Sequence, residues 1–281
     1  MPIHPVFKAG NTALITGAAS GIGLAVAKLC HKHGMNLALV DRNTETLSQA
    51  HGQFDNAPNV RTFPMDVSKL DEWSDIRIKV EMDFGQVNFL MLNAGIGLKS
   101  GWEDVEYFHK IMDTNLFGVI NGISTFLPSL RSQSHPTSII ITGSKQGITN
   151  PPSNPAYNAS KAAIKSLAEH LSFDLRQTPT SVHLLVPGWT FTGMTGGLVG
   201  KGKGEKPEGA WWPEQVAGWL ERGMGEGKFY VVCPDNDVSE EMDKKRMLWG
   251  VGDVVYGRPP LSRWRDGYRD DAEEWMKRLE I

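Results

Sequence analysis

Short apolar runs rich in β-branched residues recur along the chain, and most are followed by longer stretches with helical periodicity. The runs at residues 11–16, 36–40, 60–64, 87–92, 137–142, 181–186 and 229–233 are predicted strands. Helices are predicted from residue 21 to about 33, up to 84, over 103–120, from 155 to about 176, and over 214–224. This alternation predicts one large α/β domain over residues 1–234. The segment 235–281 is less regular and reads as a C-terminal extension. It opens with a charged helix whose Lys244, Lys245 and Arg246 read as a solvated face. Its Trp264, Tyr268 and Trp275 are expected to dock on the chain's own body or on a second subunit.

Polar residues that interrupt this pattern cluster between the fifth strand and the next helix. Ser144 follows the strand, and Tyr157 and Lys161 are four apart on a helix that Ser153 or Asn154 can cap and Pro155 can begin. Residues four apart share a helix face, and open α/β sheets place ligands at strand C-terminal ends. A phenol is a poor base at neutral pH. An ammonium one turn away is expected to favour the phenolate, making Tyr157 a general acid/base. Ser144 is placed to hydrogen-bond the same substrate oxygen.

The first strand runs into Gly17-Ala-Ala-Ser-Gly-Ile-Gly23, which opens a helix. Strand, glycine turn and helix N-terminus make a pyrophosphate site, because the backbone can approach phosphate and offers free N–H groups. Gly17, Ser20, Gly21, Ile22 and Gly23 are its candidate residues. Asp41, at the end of the second strand, can accept from ribose hydroxyls and would repel a 2′-phosphate. That favours NAD(H); the adjacent Arg42 keeps NADP(H) as the alternative. Asp66, beside Val67, can meet an adenine amino group or cap the following helix. Asn93, Ala94 and Gly95 form either a small-residue surface for a cofactor or a simple turn. Asn115 lies on an apolar helix face and reads as a satisfied core residue, and His183 reads as a packed strand residue. Pro187 and Gly188 turn the chain after the sixth strand, next to Thr190 and Thr192. Residues 193–210, rich in Gly and Lys, read as a loop able to close over a site, anchored by Trp211.

Composition narrows the function classes. The 281 residues carry a formal net charge of -3, which gives no general affinity for nucleic acid. Cys30 and Cys233 fall in predicted core elements and are expected to be free thiols in a reducing compartment. The N-terminus lacks the basic and apolar regions of a signal peptide, and no apolar run reaches the roughly 20 residues of a membrane helix. A soluble, cytoplasmic protein that does not engage a membrane is expected. No zinc-ligand spacing is present.

Taken in order, Thr16-Gly-Ala-Ala-Ser-Gly-Ile-Gly23, Asp66-Val67, Asn93-Ala-Gly95, Asn115, Ser144, Tyr157-Asn-Ala-Ser-Lys161 and Pro187-Gly188 make residues 11–232 resemble a classical short-chain dehydrogenase/reductase. The resemblance implies a single Rossmann-type domain, with seven parallel strands flanked by helices, that assembles as a homodimer or homotetramer. It implies that Tyr157 is the acid/base and that Ser144 positions the substrate oxygen. Lys161 would bind the nicotinamide ribose, Asn115 would hold a water in a proton relay, and Thr190 and Thr192 would touch carboxamide or phosphates. Ile22 would meet the cofactor through its backbone. Leu92 stands where the family often has a second Asn, and Gly143 where a second Ser is common. Lys145 and Gln146 are expected on the substrate side, with Trp102, Trp189, Met194 and Trp211. The expected activity is hydride transfer between a nicotinamide and a secondary alcohol or ketone. An epimerase, lyase or cyclase that retains its cofactor is one alternative; a non-catalytic cofactor-binding sensor is the other.

Overall fold

The computed structural model describes residues 2–55, 57–195 and 205–281. Strands β1 (Thr12–Thr16), β2 (Asn36–Asp41), β3 (Val60–Pro64), β4 (Val87–Leu92), β5 (Thr137–Thr142), β6 (Thr180–Val186) and β7 (Tyr230–Val232) form one parallel sheet. Its order is β3-β2-β1-β4-β5-β6-β7, so the winding reverses between β1 and β4. The connecting helices are α1 (Gly21–Lys32), α2 (Thr44–Gly52), α3 (Leu70–Phe84), α4 (Val105–Met112), α5 (Gly118–Ser132), α6 (Gln146–Thr149), α7 (Pro155–Asp174) and α8 (Pro213–Gly225). Two more, α9 (Glu240–Val255) and α10 (Arg269–Arg278), build the C-terminal extension.

The strands read as near-continuous apolar runs because both faces of the sheet are covered. Alternate residues then serve opposite faces. Ala13, Ile15, Phe89, Met91 and Ile140 pack with α1 and α8, against Val26, Val216 and Leu220. Leu14, Leu90, Leu92, Ile139 and Ile141 pack with α3, α5 and α7, against Trp73, Phe126 and Ile164.

The helix predicted to end near residue 120 runs further. Here α4 passes through a π-turn (Asp113–Phe117) into α5, which continues to Ser132 with Pro128 inside it. Gly118, Gly122 and Pro128 look like breakers in isolation, but packing needs the two glycines small. A Cβ on Gly122 would lie 2.4 Å from Leu92 and 2.7 Å from Trp73, and one on Gly118 would lie 2.7 Å from Val67.

The extension differs from its sequence reading in part. Lys244 is exposed, whereas Lys245 is buried and pairs with Glu241 at 2.6 Å. Trp249 and Trp275 pack on each other and, with Ala272 and Met276, form a separate small core. Arg258 stacks on Trp249 and is paired with Asp253 at 2.9 Å. Of the aromatics expected to dock, Trp275 therefore does so within the extension. At its start α9 packs against α6. No helix among the described residues is long and apolar enough to cross a membrane.

Candidate active site

The C-terminal ends of the strands surround a cleft of about 780 Å³ that spans the winding reversal. This is where an open α/β sheet presents a ligand crevice, and the volume lies within the range of cofactor-sized sites. Gly17, Ser20, Gly21 and Ile22 line one end, with Asp41, Arg42, Asp66 and Val67. Asn93, Ala94 and Gly95 line the middle. Ser144, Tyr157, Lys161, Pro187, Gly188, Trp189, Thr190 and Thr192 line the other end.

The glycine turn is built by close approach. Gly17 and Gly21 have φ of +66° and +54°, values that side chains disfavour. A Cβ on Gly23 would sit 2.2 Å from the Gly17 carbonyl oxygen. Gly23 therefore lies beneath the turn rather than on the cleft surface, and its bareness lets α1 start there. Asn93 holds the same turn from the other side. Its Nδ2 donates to the Thr16 carbonyl at 3.0 Å, while its Oδ1 accepts from the Thr142 hydroxyl at 3.1 Å. This side chain thus joins the ends of β1, β4 and β5.

The two acidic candidates both line the cleft and make further contacts. Asp41 accepts from the Ala19 N–H at 3.2 Å and from the Asn43 N–H at 3.1 Å, so it supports the turn as well as facing the cleft. Arg42 beside it is exposed. Asp66 does not cap α3, whose N-cap is Lys69. It accepts from the N–H and hydroxyl of Ser68, which tightens the approach to that helix.

At the far end, α7 presents Tyr157 and Lys161 as the spacing predicts. Pro155 starts the helix and Asn154 occupies its N-cap, but without a side-chain cap; the Asn154 amide oxygen accepts the Tyr107 hydroxyl instead. Lys161 is buried, its Nζ donates to the Thr142 carbonyl at 2.8 Å, and burial lowers its pKa to about 8. Its ammonium lies 5.9 Å from the centre of the Tyr157 ring. The expected lowering of the Tyr157 pKa by this ammonium is not what the structure gives. Burial raises the phenol above its ordinary value, and the Ser144 hydroxyl beside it pulls the other way.

Asn115 sits in the π-turn, fully buried behind the cleft wall. It takes the Ile96 N–H at 2.8 Å and returns Nδ2 to the Ile96 carbonyl at 3.0 Å. Its side chain is thus a satisfied core group that fixes the Gly95–Ile96 backbone. Any water it held would hang on its main chain, where a π-turn interrupts the regular helical ladder.

The substrate-side candidates separate into two groups. Gln146, Trp189 and Met194 line the cleft, with Met194 lying over Gly97. Trp102 does not belong there: it is 79% exposed and leans on Phe108. Trp211 is also misplaced by sequence reasoning. Its ring packs against Trp219 and the core, while its backbone pairs with Trp189 and Phe191. Lys145 lines the cleft, but two carboxylates hold its amine, Asp235 at 3.1 Å and Asp243 at 2.5 Å. Of the predicted closing loop, residues 196–204 lie outside the described residues. Ile96, Lys99, Thr114 and Asn154 also line the cleft and were not predicted. Asn154, as a candidate cap just before Tyr157, was the one within reach of sequence reasoning.

The site fits a dinucleotide by its own chemistry. Gly21 leaves a gap to Thr192 that a Cβ would narrow, a helix N-terminus faces the cleft, and an acidic residue stands at the far end of the glycine turn. Comparison with known proteins agrees. A family model described as short chain dehydrogenase matches residues 11–201. The chain is 35% identical over 180 residues to the oxidoreductase asL5 of Sarocladium schorii, covering 63% of this chain and 71% of that one. It is 31% identical over 190 residues to an uncharacterized oxidoreductase of Staphylococcus saprophyticus, covering 66% and 81%. Among solved structures, a short-chain dehydrogenase/reductase from Burkholderia phymatum in complex with NAD superposes with a TM-score of 0.80 at 26% identity, covering 91% of this chain and 97% of that one. An alcohol dehydrogenase from the archaeon Thermococcus sibiricus, complexed with 5-hydroxy-NADP, superposes with a TM-score of 0.67 at 27% identity, covering 75% and 89%.

Proposed function

Because the chain belongs to the short-chain dehydrogenase family, we propose that it is a nicotinamide-dependent oxidoreductase that interconverts a secondary alcohol and a ketone, with NAD(H) preferred. The observation that carries this reading is the convergence of Ser144, Tyr157 and Lys161 at one end of a glycine-lined cleft. The nicotinamide, when bound, supplies or takes up the hydride. The protein's residues do the rest. Gly17, Ser20, Gly21 and Ile22 would hold the pyrophosphate, Asp41 the adenosine ribose, and Pro187 through Thr192 the nicotinamide end. Tyr157 gives its phenolic proton to the substrate oxygen in reduction and takes it back in oxidation. Raised above its ordinary value, the phenol carries that proton at neutral pH. Ser144 donates a hydrogen bond to the same oxygen as charge develops. The Lys161 ammonium, with few other partners, stabilises the phenolate once the proton has left.

Asp41 supports NAD(H), since a 2′-phosphate would meet its carboxylate at the end of β2. We also propose that the chain assembles as a homodimer or homotetramer in the cytoplasm; exposed Phe117, Leu167 and Phe173 on the helical faces support assembly. Fluorescence titration with NADH and NADPH, on wild type and Tyr157→Phe, tests the reading. Both proteins should bind NADH within twofold of each other and more tightly than NADPH. Tyr157→Phe should lose about 10²–10⁴ in turnover on any carbonyl the wild type reduces. Binding of neither nucleotide would overturn the assignment, and tighter NADPH binding would reverse the cofactor preference.

A further inference from the structure

The extension reaches the cleft through Lys145. This side chain follows Ser144 directly, yet its ammonium is 3.1 Å from Asp235 and 2.5 Å from Asp243, and all three side chains are largely buried. Asp235 does more than balance a charge. One of its oxygens also accepts the Trp189 N–H at 3.0 Å, and the other accepts the N–H groups of Asp237 and Val238. A Cβ on Gly188 would lie 2.5 Å from Asp235 and 2.8 Å from the Lys145 amine. The Gly188–Trp189 backbone therefore rests directly on this ion cluster. Asp243 is the member supplied by α9. Ser239 caps that helix, and Glu240 and Glu241 in its first turn, both exposed, pair with Lys244 and Lys245. Asp243 alone of these acids turns inward, with a side chain 2% exposed. A helix needing only acidic residues near its N-terminus would leave it in solvent.

We propose that Asp243 is a positioning residue: through Lys145 and Asp235 it fixes the Gly188–Trp189 backbone, so the C-terminal extension sets how firmly the nicotinamide end of the cleft is held. This rests on the oxidoreductase reading for its functional consequence but not for its structural one. With Asp243 present, Lys145 is drawn between two carboxylates and Asp235 keeps its second lone pairs for Trp189. Without it, Lys145 has Asp235 as its sole anion, and the Asp235–Trp189 contact competes with that pair.

Asp243→Asn, Asp243→Glu and Lys145→Met in the full chain, read by hydrogen exchange and by NADH titration, test the proposal. In Asp243→Asn, amide exchange in peptides covering 187–192 should speed up about tenfold, while the strand β1 amides stay protected. NADH should bind about three- to tenfold more weakly. Asp243→Glu should recover at least half of each effect. The Lys145→Met/Asp243→Asn double variant should be no worse than Lys145→Met alone. Unchanged exchange over 187–192 in Asp243→Asn, or additive effects in the double variant, would overturn the proposal. Should Asp243→Asn fail to fold, faster exchange over 187–192 in Lys145→Met supports the coupling and unchanged exchange overturns it. If wild type binds no nicotinamide nucleotide, the oxidoreductase reading fails, and the exchange measurements still decide the coupling.

Discussion

The ammonium of Lys161 is buried with the Thr142 carbonyl as its hydrogen-bond acceptor, and its pKa falls from the ordinary 10.5 to about 8. The sign of the linkage follows from that direction. Between about pH 8 and 10.5 the folded state binds fewer protons than the unfolded state, so stability rises with pH across that window. Below about pH 8 the full cost of burying the charge is present. That cost is of order 3 kcal/mol, at about 1.4 kcal/mol per pKa unit. Lys161→Met keeps the shape and removes the charge. It is expected to raise unfolding stability at pH 7 by about 1–3 kcal/mol in urea titrations while abolishing turnover, the trade between stability and activity usual for catalytic groups. A loss of stability would mean that the ammonium is better satisfied than its single acceptor indicates. The residue types of this site were legible because chemistry restricts them: a titratable Tyr, a Lys one turn on, a Ser at a strand end. Their energetics were not legible. The helical spacing places Lys161 near Tyr157 but is silent on burial, which raises the phenol against the pull of the Ser144 hydroxyl.

At the level of elements, the glycine turn shows how the cleft depends on contacts among backbones. Gly23 approaches the Gly17 carbonyl so closely that a Cβ would lie at 2.2 Å, well inside any real contact. Gly23→Ala should therefore push α1 away from the turn and weaken NADH binding more than tenfold by fluorescence titration. Its destabilisation should stay within the roughly 1–3 kcal/mol typical of overpacking. Binding at wild-type strength would show that the turn adjusts without losing its shape. Strands and their order of appearance could be read from apolar runs because this sheet is buried on both sides. The continuation of α5 to Ser132 could not, because Gly118 and Gly122 are chosen by Val67, Leu92 and Trp73 rather than by local propensity. Trp211 and Trp102 illustrate the same limit. An aromatic near a candidate site is compatible with packing, exposure or lining, and only tertiary structure separates these.

Across the whole molecule, the N-terminal segment is tied to the far end of the sheet by histidine. His4 stacks edge-on against His183 at 5.6 Å, and its Nδ1 accepts the Val6 N–H at 3.2 Å. Burial, then the neighbouring His183, lowers the His4 pKa to about 4, and burial lowers that of His183 as well. Both groups take up protons more readily in the unfolded chain. Their contribution is therefore complete above about pH 6.5 and is lost as pH falls toward 4. Thermal unfolding should show a lower midpoint at pH 5 than at pH 7, with a smaller drop in His4→Gln. Equal drops would place the acid sensitivity elsewhere. The extension is where whole-molecule organisation escaped the sequence most completely. Nothing local to Asp235 or Asp243 signals a lysine about 90 residues away in the chain, and the link appears only when α9 folds back on α6.

The placement of the two cysteines makes the protein a convenient object for site-directed chemistry. Cys30 and Cys233 are both fully enclosed, and burial pushes the Cys233 thiol up to about 12 and the Cys30 thiol higher still. Neither offers the thiolate that alkylating reagents need near neutral pH. A cysteine installed at exposed Trp102 would thus be the one thiol to react with a maleimide dye, with no need to remove the native pair. Mass spectrometry should then show one adduct on Trp102→Cys and none on the parent chain. A dye so attached sits three residues along the chain from Lys99, which lines the cleft, and replaces no lining residue.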